Sequence, residues 1–163
     1  MKYVIDADIL RSAGDSEAPV SSLSRKLLSK ILESGDEACF CQKLWDEWKK
    51  HNSKYSKGWR ASMVAKRKMI KVETTNETES HLLTLDDSKE KSAAIKDCHL
   101  IEIAIAADKI IFSNDGKAKV AFSNLLDDRD KFKKIYWMSP TNDFDDIESY
   151  AMKNKIIPNL YEI

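Results

Sequence analysis

The sequence predicts an α/β fold, with helices on both faces of a central, mainly parallel β-sheet in a three-layer α/β/α arrangement. The main observation is that short apolar runs typical of strands alternate with longer segments of helical period. The second is size and composition. The chain has 163 residues, of which 42% are hydrophobic and 33% charged, as expected for one globular domain spanning residues 1–163.

The first half of the chain is predicted to hold two strands and three helices. Residues 2–5 (KYVI) and 37–41 form the strands. The helices cover residues 20–33, 43–51 and 59–70, and Gly58 separates the last two.

The second half begins with a polar, acidic segment, residues 73–81 (ETTNETESH), which is predicted to be a loop of low structure. Residues 97–107 are apolar nearly all round, so this helical segment should be buried. The predicted elements are one or two helices over residues 82–108, a strand over 109–113, a helix over 116–126, a strand over 134–138, a helix over 140–152 and a tail over 153–163.

Charge is balanced over the chain but concentrated in one segment. Lys+Arg and Asp+Glu are both 27, yet residues 43–71 hold ten basic residues against Asp46 and Glu47 alone, a net charge of about +8. Four aromatic side chains are interleaved with these charges: Trp45, Trp48, Tyr55 and Trp59. The segment therefore suits either a nucleic-acid surface or a solvated helical face with aromatic anchors in the core.

Cysteine content and hydropathy exclude several classes. Three cysteines, Cys39, Cys41 and Cys98, argue against a disulfide framework, and no second Cys/His pair completes a zinc site. We expect buried thiols. No apolar run approaches the ~20 residues of a membrane span, and no signal-peptide pattern precedes the first strand. A cytoplasmic protein without membrane contact is the expectation.

Acidic residues follow two of the predicted strands. Asp6 comes directly after residues 2–5, and Asp115 lies two residues beyond the strand at 109–113. Ligands of such sheets bind at the carboxyl ends of the strands, near the point where the strand order reverses. Both acids are therefore candidates for one site.

Two further acids should face inward from helices. Glu47 shares a helix face with apolar neighbours, whereas Asp46 points with the lysines around it. Asp97 begins the buried helical segment and shares a stripe with Leu100 and Ile101. Each acid alone has a structural explanation, because a helix cap accounts for Asp6, Asp97 or Asp115 and a surface position accounts for Glu47. Together, unpaired, they would repel one another, and a hard divalent cation relieves that repulsion.

These residues resemble the PIN domains, a large nuclease group that includes the toxins of many bacterial toxin–antitoxin pairs. YVIDADIL is similar to the opening strand of the family with its first catalytic Asp. KDCHLIEIAIAADKIIFSNDGKAK is similar to its Asp-bearing helix, next strand and Ser/Thr-x-Asp motif, and KIYWMSP to its late strand. The resemblance covers most of the chain.

The resemblance implies a ribonuclease dependent on Mg²⁺ or Mn²⁺, which hydrolyses phosphodiesters with an in-line water. It also implies homodimers and, for a toxin, an antitoxin partner that inserts near the acids. The implied catalytic residues and metal ligands are Asp6, Glu47, Asp97 and Asp115. Ser113 and Asn114 would support these ligands, and Asp8 is either an added ligand or, as we favour, a helix cap. RNA-backbone contacts are expected from Lys49, Lys50, Lys54 and Arg60.

Two other interpretations remain. The Asp6-Ala7-Asp8 spacing resembles the nucleophile motif of haloacid-dehalogenase-type phosphatases, although Leu10 stands where that family has Thr or Val. Alternatively, the chain is a non-catalytic PIN scaffold that binds RNA or protein. A Glu47→Gln change separates phosphatase from nuclease, and metal-dependent cleavage separates enzyme from scaffold.

Overall fold

A single all-parallel sheet forms the centre of the computed structural model, which describes residues 1–126, 132 and 134–163. Within these residues the sheet has five strands in the order β3-β2-β1-β4-β5. The strands are β1 Lys2–Ile5, β2 Glu37–Phe40, β3 Met69–Lys71, β4 Ile110–Phe112 and β5 Tyr136–Met138. The predicted parallel α/β fold is confirmed.

Helices connect the strands and cover the sheet. They are α1 Ala7–Ser12, α2 Pro19–Ser34, α3 Gln42–Lys50, α4 Lys54–Ala65, α5 Glu77–Leu83, α6 Lys89–Ile105, α7 Gly116–Leu125 and α8 Phe144–Ser149. Two short 3₁₀ helices, Ala151–Lys153 and Asn159–Tyr161, lie in the C-terminal segment.

The strand order explains the two helical layers. The chain runs outward from β1 to β3, then returns past β1 to β4, so the direction of progression reverses. With right-handed crossovers, helices before and after the reversal lie on opposite faces. Accordingly α2 packs on α4, whereas α6 packs on α5 and α7 and against β1, β2 and β4.

The central strands are apolar on both faces because both faces are covered. Tyr3, Val4 and Ile5 of β1 are fully buried, as are Ile111 and Phe112 of β4. The thiols of all three cysteines are free and buried, as predicted. No helix in the described part of the chain is both long and apolar enough to cross a membrane.

Several predicted boundaries are wrong. The predicted helix over 59–70 ends at Ala65, begins at Lys54 with Gly58 inside it, and is followed by strand β3. The predicted loop over 73–81 contains the first turns of α5, Glu77–Leu83. Ser53 explains the early start of α4, because its side chain accepts a hydrogen bond from the Ser56 amide and completes a capping box.

Candidate active site

The reversal of strand order lies between β1 and β4, and the two strands are hydrogen-bonded in parallel up to Ile5 and Phe112. The Asp6 amide continues the ladder by donating to the Phe112 carbonyl at 2.9 Å. Asp6 and the segment that follows β4 are therefore fixed side by side at the carboxyl edge of the sheet.

The Asp6 carboxylate is fixed by two donors. Asp6 is the N-cap residue of α1, and its Oδ1 accepts from the Asp8 amide at 3.3 Å. Its Oδ2 accepts from the Ser113 hydroxyl at 2.7 Å. Ser113 is itself buried and accepts from the Asp115 amide at 3.0 Å, so its orientation is set by the turn after β4.

Asp8 does not cap α1, and the prediction that favoured a cap is wrong. The cap position belongs to Asp6, and Asp8 lies in the first turn of the helix. Its Oδ2 instead accepts from the Asn114 amide at 2.9 Å, across the sheet edge. Its Oδ1 is buried and has no hydrogen-bond partner among the described residues. Both acids of the Asp-Ala-Asp segment thus face the turn after β4.

Asn114 links this edge to β5. Its Oδ1 accepts from the Ser139 hydroxyl at 2.7 Å and from the Thr141 amide at 3.3 Å. Ser139 directly follows β5 and was not among the predicted site residues, although its place at the end of a strand was a usable signal. The Asn114 side chain therefore braces two strand ends, as a supporting residue would.

Glu47 reaches the same region from α3. Its Oε2 lies 3.1 Å from Nε2 of His99, and its side chain is 31% exposed. Asp46 instead faces solvent, where it pairs with Lys49 at 2.6 Å. The predicted inward orientation of Glu47 is confirmed. The Trp48 indole fixes α3 against the sheet by donating to the Ile5 carbonyl at 2.9 Å.

Asp97 and Asp115 complete the predicted set in different ways. Asp97 is partly buried within α6, which begins at Lys89, so the prediction that it starts the helix is wrong and a capping role is excluded. Asp115 is exposed and is the N-cap of α7, where its Oδ1 accepts from the Lys117 and Ala118 amides at 2.9 Å each. Asp115 is therefore a cap, with only Oδ2 outside these two bonds.

Electrostatics connects the four predicted acids. Burial, followed by the charges of Asp6, Glu47 and Asp115, raises the pKa of Asp97 to about 6, and His99 opposes this rise. Burial also raises the pKa of Asp6. The hydrogen bond from Ser113 opposes this rise, and the charge of Glu47 adds to it. Asp97 thus lies close enough to Asp6, Glu47 and Asp115 for their charges to act on its ionisation.

The pKa values of Asp8 and Glu47 are shifted in opposite directions. Burial and the neighbouring Asp6 charge raise the pKa of Asp8 well above its usual range. Burial also raises the pKa of Glu47, but the hydrogen bond and charge of His99 outweigh it, and the net pKa is lowered. Glu47 therefore stays ionised at neutral pH, whereas Asp8, with a pKa of about 8, is largely protonated there unless a counter-charge is present.

The donor set suits a hard divalent cation in its chemistry, because carboxylate oxygens are the preferred ligands of Mg²⁺ and Mn²⁺. The buried Oδ1 of Asp8, which has no hydrogen-bond partner among the described residues, also fits a cation. Across the residues that the structure describes, however, no three His, Cys, Asp or Glu side chains are grouped closely enough to hold a metal ion directly. Mg²⁺ commonly uses one or two carboxylates and keeps its waters, so binding through Asp6 and Asp97 fits.

The basic segment, residues 43–71, places some of its side chains in the core and others at the surface. Trp48 and Trp59 are buried, which favours the core-anchor interpretation for these aromatic residues. Arg60 stacks over the ring of Trp45 at 5.2 Å, and Lys49 pairs with Asp46. Lys50 and Lys54 are exposed. RNA contacts by these four basic residues stay a prediction.

His99 is the main residue that sequence reasoning missed. It is 5% exposed and bonds to Glu47, and its Nδ1 has no hydrogen-bond partner among the described residues. The signal was its position two residues after Asp97, as the one imidazole in an apolar helix.

Comparison with known proteins adds no relative: no family model, no curated protein and no solved structure matches the chain.

Proposed function

We propose that the protein is a divalent-metal-dependent endoribonuclease of the PIN type, with its active site at the carboxyl edge of β1 and β4. The observation that carries the proposal is that Asp6, Glu47, Asp97 and Asp115 come from four separate segments to the edge where the strand order of the described sheet reverses, close enough for the charges of the other three to act on Asp97. Acids gathered from four separate segments cost stability, and such a cost is characteristic of functional sites.

Asp6 and Asp97 would hold Mg²⁺ or Mn²⁺, with Glu47 and Asp115 reaching it through water. A bound cation of this kind activates water and stabilises the negative charge that develops at phosphorus. The residues of the chain itself orient the ligands. Ser113 holds the Asp6 carboxylate, and His99 holds that of Glu47. Lys49, Lys50, Lys54 and Arg60 would contribute attraction for the RNA backbone.

A haloacid-dehalogenase-like phosphatase is the second candidate, favoured by one observation. Asp6 and Asp8 both face the turn after β4, as a nucleophile and an acid/base in an Asp-x-Asp motif would. In that reaction the Asp6 oxygen would attack phosphorus and Asp8 would protonate the departing alcohol. Glu47 has no role there, so Glu47→Gln would leave a phosphatase active and would impair the nuclease.

Cleavage of a labelled single-stranded RNA in Mg²⁺ tests the proposal. Asp6→Asn and Asp97→Asn are expected to lower the cleavage rate by about 100-fold or more, because each removes a charge that the transition state depends on. EDTA should abolish cleavage by the parent, and added Mn²⁺ should restore it.

Asp46→Asn is the matched control, since Asp46 is an exposed acid on the other side of α3. It should cut as the parent does. If Asp6→Asn and Asp97→Asn cut as fast as Asp46→Asn, the site assignment is wrong. RNA binding by the parent without metal-dependent cleavage would favour the scaffold, a PIN domain that has kept its binding surface but not its reaction.

A further inference from the structure

A pocket of about 210 Å³ opens beside the Glu47–His99 pair. Its walls are the first turn of α3, the segment 71–79 and the middle of α6, which contributes His99. Because ligand sites for drug-sized molecules measure about 300–1,000 Å³, this pocket suits a smaller group. The pocket is separate from the four acids, which do not line it, and His99 is the residue that it shares with the candidate active site.

The outer wall of the pocket is held in place by Glu102. Its Oε2 accepts from the amide and the hydroxyl of Thr75, at 3.0 Å and 2.7 Å. Its Oε1 accepts from the Thr78 amide. Glu102 is 6% exposed, so these charge-assisted bonds are sheltered from water. The segment that the sequence predicted as an unstructured loop is thus a fixed wall, and the pocket is preformed.

The lining combines apolar surface with hydrogen-bonding groups that are not used internally. Val72 and Ile95 supply aliphatic surface for a planar ring. Glu79 also lines the pocket, and among the described residues no hydrogen bond or ion pair uses its carboxylate. The Nδ1 of His99 is buried and likewise unpartnered within the described part of the chain.

Two cations on the rim can face a phosphate, beside the acid Glu73 that also lines the pocket. Lys43 and Lys71 both line the pocket. Lys71 is exposed and lies 3.8 Å from Glu73, a loose pairing that a phosphate could replace. A group that offers a flat ring, donors on its edge and a nearby negative charge matches this combination, and a nucleotide has all three.

We propose that the pocket binds one unpaired nucleobase of the RNA substrate, next to the phosphodiester that is cut. Glu79 accepts a hydrogen bond from an exocyclic amino group on the base edge, as carboxylates do for cytosine. A base can enter such a pocket only when it is unstacked and unpaired, so the substrate class is single-stranded or looped RNA. This inference rests on the proposed function, because it makes the pocket a subsite of that active site.

Binding of single nucleotides isolates the pocket from the reaction. We would titrate CMP, GMP, AMP and UMP into the metal-free protein and follow the backbone amides of residues 72–79 by NMR. The amino-bearing nucleotides should bind more tightly than UMP and shift those amides. Glu79→Gln should weaken the binding of the amino-bearing nucleotides about fivefold, because a charged acceptor becomes a neutral one. Thr74→Trp, which fills the pocket from a half-buried wall position, should abolish binding.

Glu90→Gln is the matched control, because Glu90 is an exposed acid at the start of α6 outside the pocket. It should bind as the parent does. Equal binding by the parent and both pocket variants, or no shift at residues 72–79, would overturn the proposal. Cleavage assays keep the two failures apart. Metal-dependent cleavage without nucleotide binding here refutes the pocket alone. Nucleotide binding here without any cleavage refutes the nuclease, and with it the place of the pocket beside a cut phosphodiester, while base binding by the pocket stands.

Discussion

Asp6 and Asp8 are two residues apart, yet the fold uses them differently. Asp6 caps the N-terminus of α1 and also accepts a hydrogen bond from Ser113, so one carboxylate is both a helix cap and part of the candidate site. Asp8 reaches across the edge to Asn114 and keeps one oxygen unpartnered among the described residues. The capping interpretation and the ligand interpretation of Asp6 are therefore compatible, because each uses a different oxygen.

Replacing Asp97 by asparagine should stabilise the metal-free protein at neutral pH. The folded-state pKa of Asp97 is raised to about 6, above the usual value of about 3.9. Between these two values the folded chain binds more protons than the unfolded chain, so the free energy of unfolding falls as pH rises through that window. An asparagine side chain cannot ionise, so the Asp97→Asn variant escapes the loss.

Urea unfolding in EDTA at about pH 3.5 and pH 7.5 measures this difference. The stability gap in favour of Asp97→Asn should be small at the lower pH and larger at the higher. Asp46→Asn is the control with the opposite sign, because contact with Lys49 lowers the pKa of Asp46. A gap for Asp97→Asn that is the same at both pH values would show that its carboxylate is not destabilised by the fold.

At the scale of single elements, α6 is the helix on which the site depends. It packs against three strands and against α5 and α7, and it carries Asp97, His99 and Glu102. Asp97 lies near the other three acids, and His99 bonds to Glu47. Glu102 holds the segment around Thr75 and Thr78. One buried helix therefore positions both the candidate active site and the wall of the adjoining pocket.

Glu102→Gln should loosen that wall. An amide has one acceptor oxygen where the carboxylate has two, so at least one of the three bonds from Thr75 and Thr78 is lost, at a cost of about 1–3 kcal/mol. Burial raises the pKa of Glu102, but these hydrogen bonds outweigh it and lower the pKa overall. The stabilisation is therefore complete above the unfolded pKa of about 4.3 and is lost as pH falls through the folded value.

Hydrogen exchange of the Thr75 and Thr78 amides checks the effect locally. Exchange should be faster in Glu102→Gln than in the parent at pH 7, and it should be unchanged in Glu90→Gln, which alters an exposed acid of the same helix. Unchanged protection of both amides in Glu102→Gln would mean that Glu102 does not hold the segment.

Across the whole molecule, the parallel sheet was predictable from β1, β2, β4 and β5, which are short runs with buried apolar residues. Strand β3 was missed, because its three residues include the exposed Lys71 and follow directly on a helical segment. The positions of Asp6 and Asp115 followed from the same pattern, since both come after strands. Contacts between distant segments were not predictable. No local pattern indicates that Glu102 will bond to Thr75 and turn an acidic loop into a wall, or that His99 will meet Glu47 from another helix. Gly58 was misread because an isolated glycine is tolerated within a capped helix.

The distribution of charge also belongs to this scale. Seven of the ten basic residues of 43–71 lie on α3, α4 and β3, and the other three lie between α4 and β3. Over the whole chain, 27 basic and 27 acidic residues cancel. A cation at the acids would reduce the repulsion that a polyanion meets on approach. The proposed function therefore depends on whether those acids bind a cation at all.

Equilibrium binding of Mn²⁺, followed by the electron paramagnetic resonance of the free ion, tests that dependence most directly. The parent should bind Mn²⁺ in competition with Mg²⁺. Asp6→Asn and Asp97→Asn should each weaken binding by about tenfold or more, while Asp46→Asn leaves it unchanged. A parent that binds no Mn²⁺ at millimolar concentration, or three variants that all bind it as the parent does, would contradict a metal-dependent site built from these acids.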